Sequence, residues 1–153
     1  MIDTTTEPGS TGGSRRTILQ GGRAKAYRPL PVEERRRAFE EAMAAYERGD
    51  FFETHELLEP AWMGSDDLGE RNLDQGLIKL AAAYVHGVRG NPAGIVRNLE
   101  GARARLAEAV GTQAVTASGI DLEDLLARID ERLAAPHADL ERLDPPTIRR
   151  QKR

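Results

Sequence analysis

The 153-residue chain is 39% hydrophobic and 31% charged, with a net charge of −3 and no cysteine, a composition that fits one soluble globular domain and is too short for a large multidomain enzyme. Without cysteine there are no disulfides, thiolate metal sites or cysteine nucleophiles, so a bound metal must use His, Asp or Glu, and only three histidines are present. No apolar run approaches the roughly 18 residues of a membrane span, and the opening MIDTTTEPGSTGG has neither the basic start nor the apolar stretch of a secretion signal, which argues for a cytoplasmic protein with no membrane partner.

Residues 1–28 carry five basic and two acidic side chains, and the last seven residues, TIRRQKR, carry four basic and none acidic. Set against the total of −3, these +3 and +4 ends leave −10 for residues 29–146. An acidic body with short basic ends lacks the continuous cationic surface that a phosphate backbone needs, so nucleic acid is not the expected ligand. Residues 1–28 are dominated by Thr, Gly, Ser and Arg and bury too little apolar surface to offset the entropy of ordering. They are expected to form a disordered basic tail.

After Pro29 and Pro31 the apolar positions Val32, Phe39, Ala42, Met43 and Tyr46 recur at three- and four-residue steps, which predicts a first helix ending at Gly49. Asp50 caps a second, FFETHELLEPAW, in which Pro60 should kink or loosen the chain near Glu56 to Glu59. Gly64 to Asp67 make a turn, and residues 68–89 read as a third helix through GLIKLAAAYVHGV. Asn91-Pro92 starts a fourth, running to about Ala109 on Ile95, Val96, Leu99, Ala102 and Leu106. A polar loop follows. Asp121 caps a fifth helix with Leu122, Leu125, Leu126, Ile129 and Leu133 on one stripe, ending before Pro136. No convincing strand is apparent.

The expected fold is therefore all-α, a compact bundle of about five antiparallel helices over residues 29–136, flanked by the 1–28 tail and by a C-terminal tail, residues 137–153, that is basic at its end. Packing is expected to stop at the Pro145-Pro146 pair.

Chemistry concentrates on the second helix. His55 and Glu59 are four residues apart and share a face, with Trp62 three residues further on and Phe52 three before; Glu56 borders the same surface. On the third helix Gln75, Lys79, Ala82 and His86 also fall along one face. If that face meets the second helix, His55, Glu59 and His86 make a ligand set for zinc, iron or nickel, leaving a position for water. Glu56 is then the candidate catalytic base. Phe52, Trp62, Gln75 and Lys79 would line the pocket around it, sized for a small molecule. A bland alternative gives the same groups a structural role in a non-catalytic binding or assembly module, in which His55 and Glu59 are a hydrogen-bonded pair, Trp62 packs and Lys79 neutralises carboxylates. A leftover apolar stripe on so small a bundle would favour a homo-oligomer.

Other chemistries fail on spacing. His55-Glu56-Leu57-Leu58-Glu59 has glutamate where the zinc-protease helix His-Glu-x-x-His needs its second histidine, and there is no Glu-x-x-His pair of the di-iron kind. No Gly-x-Gly-x-x-Gly follows a strand and no phosphate loop is present, which argues against nucleotide-dependent phosphoryl transfer.

Three ordered blocks carry a family likeness: Gly49 to Trp62, Gln75 to His86, and Gly90-Asn91-Pro92-Ala93-Gly94. Over about residues 32–110 the chain resembles domain-of-unknown-function family 309, whose hallmark His-x-x-x-Glu-x-x-Trp/Tyr is met by His55, Glu59 and Trp62. The resemblance implies a helical fold, a metal-binding motif and a metal-dependent hydrolase label. It also implies that His55, Glu56, Glu59, Trp62, Gln75 and His86 form one site. It does not imply a substrate.

Overall fold

The computed structural model describes residues 16–20, 23–85 and 90–151. Among the described residues six α-helices follow a two-stranded hairpin: β1 (Arg16–Gln20), β2 (Arg23–Tyr27), α1 (Val32–Glu47), α2 (Phe51–Met63), α3 (Leu68–Ala83), α4 (Pro92–Ala109), α5 (Gln113–Ser118) and α6 (Leu122–Ala134), with a 3-10 turn at His137–Asp139. The expected all-helical bundle is what forms the body of the protein. Among the described residues no helix is long and apolar enough to cross a membrane.

Side-chain caps fix the helix starts. The carboxylates of Asp50, Asp67 and Asp121 and the amide oxygen of Asn91 each accept from the backbone N–H three residues on, satisfying one of the donors that the first turn leaves open. Gly49, at φ +83°, lets α1 and α2 meet across a three-residue connection. α2 and α3 run antiparallel: Phe51 packs on Tyr84 at one end and Trp62 on Arg71 at the other. α3 and α4 form the most extensive helix pair. The core is a single apolar cluster that includes Leu58, Leu77, Leu80, Leu99, Leu106, Leu125 and Ile129.

The closeness of α3 and α4 depends on Gly76. A Cβ there would come within 2.6 Å of two side-chain carbons of Leu106, which is itself fully buried. Gly76→Ala should therefore destabilise by about 1–2 kcal/mol despite alanine's higher helix propensity. A denaturant midpoint that rises instead would show that the two helices can separate freely.

Four expectations need correction. Residues 16–27, placed in the disordered tail, contain the antiparallel hairpin, with Arg16 opposite Tyr27 and Gln20 opposite Arg23; residues 1–15 of that tail lie outside the described residues. Its second strand contacts α2, and the chain after it is held by Arg28 N–H donating to Met63 O and Leu30 N–H to Gly64 O. The polar loop after α4 contains α5, whose six residues are too few to show a periodicity. α3 ends at Ala83, where the third helix was expected to continue to residue 89; residues 86–89 lie outside the described residues. Packing does not stop at the Pro-Pro pair: Pro146 is fully buried and Tyr46 Oη donates to its carbonyl at 2.6 Å.

That C-terminal segment is a strap. Arg150 meets Glu40 of α1 through two hydrogen bonds, at 2.7 and 3.0 Å, and donates to Ser118 O at the end of α5. Arg149 O and Gln151 N–H bond the backbone of Asp121 and Gly119. α2 runs unbroken through Pro60, although the missing proline N–H deprives the Glu56 carbonyl of its donor four residues on.

Candidate metal site

The start of α2 sets the register of its reactive face. Asp50 Oδ1 accepts from Glu53 N–H at 3.1 Å, while its carbonyl receives both Thr54 N–H and Thr54 Oγ1. With Thr54, Leu58, Ala61 and Trp62 turned into the core, the helical repeat leaves His55 and Glu59 half-buried on the flank and Glu56 and Phe52 exposed. One ligand-type atom from each of His55, Glu56 and Glu59 lies within 4.8 Å of the other two. His55 Nδ1 and Glu56 Oε2 are 3.5 Å apart, with side chains 32% and 52% exposed.

An imidazole and two carboxylates suit a borderline divalent ion. Ligand bonds of about 2.0–2.2 Å put any two donors no more than about 4.3 Å apart, so the three groups need only small rotations to reach a common centre. Their exposure makes such rotations inexpensive. The donor set thus fits a metal.

On α3 it is Arg71 that packs against the end of α2, at Trp62, whereas Lys79 lies against α4. Arg71 is buried, donates from Nη1 to Trp62 O at 2.9 Å and Ser65 O at 3.0 Å, and lies 5.2 Å from the centre of the Trp62 ring. Trp62 is correspondingly a buried packing side chain, 6% exposed. Lys79 turns the other way: its stem lies against Gly101 of α4. Gln75 is half-buried on α3, one turn past Arg71, and Phe52 is 58% exposed one turn before His55. His86 lies outside the described residues, so three of the expected groups, His55, Glu56 and Glu59, are brought together on α2 alone.

Reading the sequence gave no sign of the buried polar layer behind this face. The α3 start, LGERNLDQ, looks like a solvated first turn, yet Arg71, Asn72 and Asp74 are all buried. Burial pushes the Asp74 carboxyl well above its usual range, and nearby Glu70 adds to this while Arg35 and Arg71 oppose it. Among the described residues Asp74 Oδ2 has no hydrogen-bond partner. Arg35 of α1 instead pairs with Glu70, at 2.7 Å.

A larger cleft of about 1200 Å³ opens between α1, α5 and the strap, bordered by Glu40, Tyr46, Phe51, Ser118, Pro146 and Arg150. Its lining contains no histidine, and its principal charged pair is the Glu40–Arg150 contact. Metal-ligand chemistry among the described residues therefore sits on α2.

The model of the family described as Domain of unknown function (DUF309) matches residues 39–98. The chain resembles DUF309. The DUF309 match runs from within α1 to within α4 and takes in the whole of α2 and α3, a narrower span than the 32–110 expected from the sequence blocks. No curated protein and no solved structure matches the chain.

Proposed function

We propose that the protein binds a divalent cation on the exposed flank of α2 through His55, Glu56 and Glu59, and that this site serves hydrolysis of a small molecule. The observation that carries the reading is the convergence of one imidazole and two carboxylates within 4.8 Å of one another. A divalent ion held there would supply a Lewis acid that lowers the pKa of a bound water toward neutrality. His55 and Glu59, a turn apart on a capped helix, hold and orient the ion. Glu56 is the most open of the three and is near enough to His55 to complete the ligand set. Glu56 can alternatively serve as the base, and the two roles make different demands: a ligand is needed for binding, a base only for turnover.

Isothermal titration of untagged, chelator-stripped full chain with zinc, nickel and iron(II) tests the reading. Wild type should bind one equivalent, and His55→Ala and Glu59→Gln should each weaken binding by about tenfold or more, equivalent to about 1.4 kcal/mol. Glu56→Gln should weaken it as well. Unaltered binding in Glu56→Gln would return Glu56 to the role of base, and binding that is equal, or absent, in all four proteins would reject the metal site itself.

A further inference from the structure

A second recess adjoins the metal-ligand face. It measures about 420 Å³ and is lined by Gly49, Asp50, Phe51, Phe52, Tyr84 and Val85, where the α1–α2 turn meets the end of α3. Three of the six lining residues are aromatic, one is a carboxylate and none is basic. Phe51 packs on Tyr84 with ring centres 5.8 Å apart and on Tyr46 at 5.2 Å, so one wall is braced by an aromatic row reaching into the core. Phe52 is not braced in this way and exposes 58% of its surface. A large aromatic side chain left open beside a recess is the kind of apolar surface that a ligand covers.

The electrostatics choose the ligand's sign. A helix start carries about half a positive charge, but here it is already answered by two carboxylates: Asp50, whose Oδ1 accepts from Glu53 N–H, and Glu53 in the first turn. Glu56 lies a further turn along, on the side of Phe52. Tyr84 adds no charge, because burial pushes its phenol up to about 12. Aromatic rings with an acidic rim attract a cation, through the negative faces of the rings and direct charge pairing, and repel an anion.

We propose that this recess binds an organic ammonium group carried on a small molecule, with Phe51, Phe52 and Tyr84 against its alkyl surface and Asp50 facing its charge. The site does not depend on the metal reading, since none of its lining residues is one of the three metal-ligand candidates.

The test uses chelator-treated full chain and two probes of equal shape, choline and its neutral isostere 3,3-dimethylbutan-1-ol, followed through the backbone amide NMR shifts of Gly49, Asp50, Phe52 and Val85. Choline should bind in roughly the millimolar range and about fivefold more tightly than the alcohol. Phe52→Ala should weaken choline binding about fivefold. Asp50→Asn should weaken it similarly while keeping the fold, because asparagine caps a helix as well as aspartate does. Equal binding of the two probes, choline binding unchanged in both variants, or no saturable shift with choline would each overturn the proposal. Because no metal is present, none of these outcomes bears on His55, Glu56 and Glu59.

Discussion

Arg71→Ala should lower the stability of the protein by about 3–5 kcal/mol and its melting temperature by roughly 10 °C. Arg71 is 1% exposed, and its guanidinium joins the end of α2 to the following turn through the carbonyls of Trp62 and Ser65. Removing it strips both acceptors of a charged donor, at about 1–3 kcal/mol each. It also removes the cation from beside the Trp62 ring and opens a void in a packed layer. Arg71→Lys keeps the charge but not the planar group beside Trp62, and should fall between the two. Thermal unfolding by circular dichroism measures all three proteins. A loss under about 1 kcal/mol in the alanine variant would mean that the turn after α2 is held by other contacts.

A gain in stability that grows as pH rises above about 4 is the expected result of Asp74→Asn. Asp74 is 2% exposed, and its folded-state pKa is raised above the ordinary value of 3.8, first by burial and then by Glu70. A raised carboxylate pKa means that the native state holds its proton more tightly than the unfolded chain does. The associated stability is complete below pH 3.8 and declines as pH rises toward the folded-state pKa. Asparagine has no proton to lose, so the variant should match wild type near pH 4 and pull ahead progressively at higher pH. Urea midpoints taken across that range give the answer, and a difference that is the same at every pH would remove Asp74 as its source.

The fold was legible where caps and periodicity coincide. Asp50, Asn91 and Asp121 were each read as helix starts and each accepts the bond a cap should accept. The hairpin was missed, although Gly21-Gly22 between two five-residue segments is a turn signal. The Thr/Gly/Ser/Arg composition of the surrounding tail outweighed it. The strap was missed because the burial of Pro146 and the bond from Tyr46 join residues 100 positions apart, a relation that no local window contains. On the site, the spacing of His55 and Glu59 fixes their shared face whatever the tertiary structure, so that part could be read directly. The face of α3 that meets α2 depends on the rotation of one helix against another. Spacing placed Gln75, Lys79 and His86 on one stripe, but only packing sets Lys79 against Gly101 and Arg71 against Trp62.

The strap also has a bearing on how the protein is made. Glu40 and Arg150 are separated by 110 positions and Tyr46 and Pro146 by 100, so the first helix cannot acquire its final neighbours until nearly all of the described chain has left the ribosome. Local helix pairs such as α2 with α3 can form early in synthesis, whereas closure over α1 must wait for residues 146–150 and bears the entropy of joining distant parts of the chain. Until then Met43, Tyr46 and Phe51, which border the strap-side cleft, face the growing polypeptide's surroundings, and the nascent protein is most exposed to aggregation and proteases during that interval.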